Sequence, residues 1–511
     1  MHKKILQANL NGISIVALLA IIIFFGVKAT YRGGVHWAHD YHTYHLPLAL
    51  MHFNLSIFTP DAGHLQYYKL LPPLTHLIEG FLFWITGIFA AATLLGVIGL
   101  ALFNFLMLRY LEPARLVVVN IFLLATPIIA INIPSGLNDI WTNLFLVVAF
   151  VALVQITTTV FRREQIHIAD AALFLGGAAI AYYSKYQSWV TFGFLGVLAS
   201  GLLCFSLYRT RSTGWLSEQN VSRANSHILA ACVCIILLVG LSWPVRNWVV
   251  FNNLFMPFLI QERVETMNGL LSSGQIMAAL ELLRQSTADN FQLVFTPDGL
   301  KSSSSTTRYV ASYFEFTRLL TPEAMMWNSS QWHGSVKSLH QMMGGLNGSL
   351  SLACLVLLIV GVLLRQVSAI GFLCLLALAA LISTQAQSHE MRYWLVVPIA
   401  SYVLLVMGAS NRWYRRLVFV VPCLFLAMFA ASDSARKTSA FGFQRALLDD
   451  VPEIEEFWSS HAPNTRDAPY CIPKYAQMPS LTDALYLYFN GPTMREFYVI
   501  PCRESGPRKP N

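Results

Sequence analysis

Long runs of apolar residues, separated by short polar segments, recur along most of the chain. A run of about 18 or more apolar residues is long enough to cross about 30 Å of hydrocarbon as a helix. A shorter apolar segment at 74–86 has the length of an interfacial or re-entrant helix. The pattern therefore predicts an all-α polytopic membrane protein. About eleven spans are predicted, at 11–29, 88–109, 115–134, 139–161, 169–186, 188–208, 226–250, 346–364, 367–385, 392–410 and 415–432.

The polar residues are concentrated in three segments between and after these spans. Two are the loops at 30–73 and 252–345, and the third is the tail at 433–511, which is polar, rich in proline and soluble in character. This distribution predicts a transmembrane domain over 1–432, followed by a small soluble C-terminal segment. We find no internal repeat at a fixed period, so a transporter built from inverted repeats is not supported.

Composition narrows the class of protein further. Hydrophobic residues make up 55% of the chain and charged residues 12%, with a mean hydropathy of +0.54. Soluble domains carry about 25% charged residues. These values exclude a soluble globular enzyme, a disordered chain and a nucleic-acid binder covered in charge.

The positive charges predict the orientation in the membrane. Lys and Arg exceed Asp and Glu by 8, and in membrane proteins the excess usually lies in cytoplasmic loops. An N-terminus in the cytoplasm puts the C-terminus and all three large polar segments outside. This orientation leaves thirteen basic residues in the inner segments: Lys3, Lys4, Arg109, Arg115, Arg162, Arg163, Arg209, Arg211, Arg223, Arg365, Arg412, Arg415 and Arg416.

Cysteine usage agrees with an outer tail. Six of the eight cysteines lie in predicted spans, where cysteine behaves as a small hydrophobic residue. The other two, Cys471 and Cys502, lie in the tail. An even pair in an oxidising compartment predicts a disulfide between them.

Two aspartates at the predicted outer ends of helices are candidate catalytic residues, because ionisable side chains are costly at membrane depth and usually face a cavity or each other. Asp40 lies in the run His39–Pro47 of the first outer loop, and Asp139 opens the span after the turn at Pro134. A carboxylate there can take a proton from a hydroxyl group or bind a divalent cation. The alternative role is helix N-capping. Two acidic residues supply only two sure oxygen ligands, so a divalent cation is left open as a cofactor and no metal site is assigned.

Three cations away from the inner loops predict an anion-binding site. Lys185 lies in a tight outer turn, Arg246 at the outer end of the seventh span, and Arg392 at the start of the tenth. Arginine offers phosphate a bidentate fork and lysine a point charge. The alternative is snorkelling to lipid headgroups.

The same residues resemble a known family. Asp40 with Tyr44-His45-Leu46-Pro47 is similar to the first outer-loop motif of bacterial GT-C membrane glycosyltransferases, the relatives of protein O-mannosyltransferases (glycosyltransferase family 39) and lipid A aminoarabinose transferases. Further similar segments follow in order: Leu71–Leu74, Asn138-Asp139, Pro244–Asn247 with Asn253 and Pro257, and Arg392-Tyr393 with Pro398. Asn252-Asn253-Leu254 stands where the family usually has Gly-Asn-Pro. The resemblance spans about residues 1–410 and leaves most of the large outer loop unmatched.

The resemblance implies a GT-C-like bundle and the transfer of a sugar from a polyprenyl-phosphate donor to a lipid, glycan or protein acceptor on the outer face. Asp40 and Asp139 would be the catalytic carboxylates, with Asp40 taking the acceptor's proton. Substrate contacts would come from Tyr44, His45, Lys185, Arg246, Arg392 and Tyr393. The cations would stabilise the departing lipid phosphate as its charge grows.

Two other functions stay open. An outer-face glycan polymerase or ligase predicts essential residues in the large loop at 252–345, namely Arg263, Arg308, Arg318, His333 and His340. A non-enzymatic transporter or flippase of lipid-linked glycans predicts charges in the middle of the spans, where this chain has almost none.

Overall fold

The computed structural model describes the helical core of the chain. Its described residues are 2–32, 72–86, 94–134, 138–212, 216–251, 272–279, 303–313, 346–385, 391–431, 470–472 and 499–501, with isolated positions between them. The helices, numbered α1 to α14, are His2–Arg32, Leu74–Thr86, Leu95–Met107, Pro113–Ala125, Pro127–Asn132, Asn138–Phe161, Ile168–Ser184, Ser188–Ser212, Leu216–Phe251, Ser305–Tyr313, Leu346–Leu363, Ala369–Ser383, Val396–Gly408 and Arg412–Ala431. A short 3-10 helix, Met391–Trp394, precedes α13.

The apolar runs of the sequence coincide with these helices. Five helices, namely α1, α6, α8, α9 and α14, are long and apolar enough to cross a membrane. The others are apolar but shorter, so the protein is an α-helical membrane protein in which the count of eleven spans stays a prediction. The predicted interfacial segment is the helix α2, with the predicted bounds.

Helix α6 is the centre of the bundle. Its most apolar stretch is 83% buried, against 11–33% for the other four long helices. It packs against α3, α7, α8, α12 and α13. A helix that is hydrophobic on all sides is expected to be enclosed by its neighbours, and the start of this enclosed helix carries Asn138 and Asp139.

The predicted span at 115–134 is interrupted. Pro127 lacks a backbone N–H, so α4 ends at Ala125 and α5 begins at Pro127. Thr126 at the break hydrogen-bonds through its hydroxyl to the carbonyl of Phe122 (2.8 Å) and to the Tyr402 hydroxyl (2.8 Å). The ring of Phe122 stacks on that of Tyr402, with centroids 4.7 Å apart. These contacts fasten the break to α13.

Contacts between the described helices define two opposite ends of the bundle. At one end, Arg109 binds Asp170, Arg115 donates to the carbonyl of Met407 (3.0 Å), and Arg209 donates to the carbonyl of Val160. We call this the basic end. The opposite end, called the site end, contains the starts of α2, α6 and the 3-10 helix and the end of α7.

The tail has a short strand pair. Strand β1, Tyr470–Ile472, pairs in parallel with β2, Val499–Pro501, so that Cys471 lies opposite Ile500. Cys502 follows β2 directly but lies outside the described residues, and the predicted disulfide stays a prediction.

The α6–α7 interface supplies a test of the packing. A Cβ atom on Gly177 would lie 2.7 Å from the Phe145 carbonyl oxygen and 3.0 Å from the Ala149 nitrogen, whereas one on the neighbouring Gly176 would meet nothing within 4 Å. We expect Gly177→Ala to destabilise the protein by about 1–3 kcal/mol, because backbone atoms must move apart. Gly176→Ala is the matched control and should not lower the unfolding temperature in detergent micelles. Equal unfolding temperatures for the two variants would contradict this interface.

Candidate functional site

An ion pair between two predicted site residues forms the centre of the site end. Lys185 lies in the turn that follows α7, and its ammonium group binds Oδ1 of Asp139 in the first turn of α6. The side chains are nearly enclosed, with 9% of Lys185 and 1% of Asp139 exposed. The sequence predicted both as site residues without predicting that they pair.

Arg392 and Tyr393 complete this cluster. The Lys185 ammonium lies 4.4 Å from the centroid of the Tyr393 ring, and the Arg392 guanidinium carbon lies 4.7 Å from the same centroid. Nη2 of Arg392 also donates to the Tyr393 hydroxyl (2.7 Å). An aromatic face attracts cations, most strongly where water is excluded. Two cations therefore lie beside one aromatic ring in a nearly enclosed place, an arrangement that suits recognition of an anion.

The side chain of Asn143 holds the 3-10 helix against α6. Its Oδ1 accepts from the backbone N–H of Val396 (2.7 Å), and its Nδ2 donates to the carbonyls of Tyr393 (3.4 Å) and Arg392 (3.5 Å). Asn143 lies one turn after Asp139, so this contact brings Arg392 next to the ion pair. The sequence signal for it was an amide side chain inside an apolar span.

A second set of hydrogen bonds joins α2 and α6 to the end of α7. Nδ2 of Asn138 donates to the Ser184 carbonyl (3.2 Å) and to the Thr75 hydroxyl (3.4 Å). Nε1 of Trp141 donates to the Ser184 hydroxyl (3.1 Å). Ser184 directly precedes Lys185, so these bonds fix the turn that carries the lysine.

Arg246 lies on a helix fastened to the same part of α7. The hydroxyl of Tyr182 donates to the Gly240 carbonyl (2.7 Å), and the hydroxyls of Tyr183 and Ser242 are 2.6 Å apart. Arg246 is one turn beyond Ser242, with its guanidinium carbon 4.5 Å from the centroid of the Trp243 ring. It therefore belongs to the same end of the bundle, on a neighbouring helix.

Three predicted site residues lie outside the described residues: Asp40, Tyr44 and His45. The expected meeting of Asp40 with Asp139 is thus still a prediction. In the described part of the chain, no three His, Cys, Asp or Glu residues are grouped to hold a metal ion. A divalent cation would depend on Asp40, with Lys185 competing for the Asp139 carboxylate.

An apolar cavity of about 190 Å³ lies between α10, α11, α12 and α13. Its lining includes Tyr309, Tyr313, Leu375, Pro398 and Tyr402. Pro398 lies in the first turn of α13 and is five residues after Tyr393, so the cavity lining follows the cation cluster closely in the chain. The site end therefore combines a cationic cluster with a nearby apolar space.

Of the loop residues expected for a polymerase or ligase, the structure describes Arg308. Its Nη1 donates to the Ser303 carbonyl and its Nη2 to the Ser305 hydroxyl (3.2 Å). These bonds hold the start of α10, which gives Arg308 a structural role. The other four residues, Arg263, Arg318, His333 and His340, lie outside the described residues.

Sequence reasoning missed Glu79. This residue is in the middle of α2, is 0% exposed, and has two carboxylate oxygens without a hydrogen-bond partner among the described residues. The signal was present in the segment Leu74–Thr86, where Thr75 and Glu79 are four residues apart and share a face of an otherwise apolar helix.

Comparison with known proteins leaves these contacts as the basis for assigning function: no family model, no curated protein and no solved structure matches the chain.

Proposed function

We propose that the protein is a membrane glycosyltransferase that moves a sugar from a polyprenyl-phosphate donor to an acceptor on the non-cytoplasmic face. The observation that carries this proposal is the enclosed cluster of Lys185, Arg392 and Tyr393 with Asp139, next to an apolar cavity. A lipid phosphate offers one group for each feature, an anion for the cations and a hydrocarbon chain for the cavity.

The location of the basic residues supports an outward-facing site. The contacts of Arg109, Arg115 and Arg209 are at the basic end, opposite Asp139 and Lys185. Since basic loops usually stay in the cytoplasm, the site end would face outward in a bacterial inner membrane. The N-terminus would then be inside and the C-terminus outside.

The cations supply the chemistry of the leaving group. As the bond between the anomeric carbon and the phosphate oxygen breaks, negative charge grows on the phosphate. Arg392 offers a planar fork and Lys185 a compact charge, and their enclosure makes both interactions stronger than in water. In the ligand-free state Asp139 neutralises Lys185, and an arriving phosphate competes for that ammonium group.

Asp40 is assigned to the acceptor. As its hydroxyl oxygen attacks the anomeric carbon, the acceptor must lose a proton, and a positioned carboxylate can take it. Tyr44 and His45, close to Asp40 in sequence, are proposed to contact the substrate together with Arg246. Asp139 is proposed as the second carboxylate, which sets the charge and position of Lys185.

The test is mass spectrometry of cell-envelope glycans and glycoproteins from cells that carry Asp40→Asn. We expect one sugar to be lost at normal abundance of the variant protein, because Asn cannot accept the proton. Asp61→Asn, in the same predicted loop, is the matched control and should leave the glycans unchanged.

Two other outcomes would count against the proposal. Unchanged glycans in Asp40→Asn cells would favour a transporter. Normal sugar transfer by Asp40→Asn, together with its loss in Arg263→Ala or His333→Ala, would favour a polymerase or ligase.

A further inference from the structure

The exposed and buried faces of α2 are reversed relative to a helix on a water-soluble protein. Its buried residues are Thr75, His76, Glu79 and Gly80. Its exposed face is apolar, with Leu77, Phe81, Trp84 and Ile85 between 39% and 59% exposed. Apolar residues on the outside fit a helix that contacts lipid, and the polar face is then turned toward the bundle.

Glu79 is the unusual member of this polar face. Its side chain is enclosed, and neither carboxylate oxygen has a hydrogen-bond partner among the described residues. A buried charge without a partner is very costly, and the group usually neutralises instead. Burial accordingly raises the pKa of the Glu79 carboxyl well above its ordinary value of 4.5.

The packed neighbours of α2 offer this carboxyl no free cation within the described residues. Helix α3 has no titratable side chain, and at the site end of α7 the hydroxyls of Tyr182 and Tyr183 are bonded to α9. Lys185 is paired with Asp139. On α2 itself, His76 is the other titratable group and is also buried.

The polar face of α2 is nevertheless joined to the cation cluster. The Thr75 hydroxyl donates to the carbonyl of Ser184 (3.4 Å), which directly precedes Lys185. Glu79 is one helical turn from Thr75 on the same face, about 6 Å along the helix axis. The carboxyl group of Glu79, unpartnered among the described residues, is thus one helical turn from the residue that contacts the backbone next to Lys185.

We propose that Glu79 is the proton donor for the phosphate that leaves the sugar, an inference that rests on the proposed function. The acceptor oxygen forms its bond to the anomeric carbon and gives its proton to Asp40. The bond between the anomeric carbon and the phosphate oxygen breaks, and its electron pair stays on that oxygen. Glu79 passes its proton to the same phosphate. Water then returns a proton to Glu79 and accepts one from Asp40.

The experiment uses dicyclohexylcarbodiimide, an apolar reagent that modifies protonated carboxyl groups, on the full-length protein in detergent micelles. We expect peptide mass mapping to find Glu79 modified at pH 7, with labelling that declines at higher pH. Asp139 is the control within the same chain, because it is similarly buried but its carboxylate is bound to the Lys185 ammonium group. Undecaprenyl phosphate should protect Glu79, and undecaprenol, which lacks the phosphate, should not.

A second measurement tests proton donation by Glu79 through the rate of sugar transfer. Glu79→Gln keeps the shape of a neutral acid, so it should fold normally, and its transfer rate should fall by about 100-fold, the lower range for losing an acid catalyst. The wild-type transfer rate should decrease at alkaline pH, and this decrease should be absent in Glu79→Gln. An unmodified Glu79 at pH 7, or equal protection by both lipids, would overturn the inference while leaving sugar transfer intact. Labelled Glu79 with unchanged glycans in Asp40→Asn cells would instead overturn the proposed function.

Discussion

Lys185→Met is expected to destabilise the folded protein by about 3–5 kcal/mol, because it leaves the buried carboxylate of Asp139 without its cation. The side chain of Asp139 is 1% exposed, so water cannot replace the ammonium group. Methionine keeps most of the length of lysine, which limits the loss of packing. The measurement is the free energy of unfolding in mixed detergent micelles.

The double variant separates the charge from the packing. Lys185→Met with Asp139→Leu removes both charges, and replacing a buried pair by apolar residues is often nearly neutral. We therefore expect it to be more stable than Lys185→Met alone. Additive losses from the two single substitutions would contradict a buried, coupled pair.

The ion pair at the basic end is the matched control. The side chain of Arg109 is 36% exposed, and Asp170 keeps a hydrogen bond from the Tyr110 hydroxyl (3.0 Å) when the arginine is removed. The carboxylate of Asp170 is itself buried (4% exposed), so Arg109→Met should also lower stability, but by less than Lys185→Met, because the cation is partly exposed and the Tyr110 bond remains. A loss as large as that of Lys185→Met would mean that exposure does not decide the difference.

The helical core could be predicted from the sequence because the hydrocarbon interior of a membrane offers the backbone no hydrogen-bond partners. Every backbone polar group must be satisfied within the segment, so an apolar run in a membrane forms a helix. The segment 74–86 is an example, since the length of this apolar run predicted the helix α2. Two helices depart from the predicted bounds. Pro127 interrupts one predicted span, and α9 begins at Leu216, ten residues before the predicted start at 226.

The sequence predicted which residues belong to the site but not how they are arranged in space. Asp139, Lys185 and Arg392 stood out because ionisable side chains are costly at membrane depth and these three lie at the predicted outer ends of helices. Their pairing depends on α6, α7 and the 3-10 helix meeting through Asn143 and Ser184, which is tertiary information. Glu79 was missed for another reason, because a single acid within a short apolar helix looks like a surface residue until its burial is known.

Arg392→Lys is expected to lower the rate constant for sugar transfer by about 100- to 1,000-fold, the range seen when one donor to a developing anion is removed. Lysine keeps the charge but loses the planar fork, and it cannot reproduce the bond to the Tyr393 hydroxyl in the same geometry. Arg392 is 9% exposed, so it is poorly placed to reach lipid headgroups. The measurement is the rate of transfer from a polyprenyl-phosphate-sugar at saturating donor.

Tyr393→Phe is the matched control for this substitution. It removes the hydroxyl that accepts from Arg392 but keeps the ring beside both cations, so the loss should be no more than about tenfold, the worth of one hydrogen bond. A snorkelling role for Arg392 predicts that lysine substitutes fully. An active Arg392→Lys protein would therefore contradict phosphate recognition at this residue. If Tyr393→Phe lowered the rate as much as Arg392→Lys, the effect would belong to the Tyr393 hydroxyl and not to the guanidinium group.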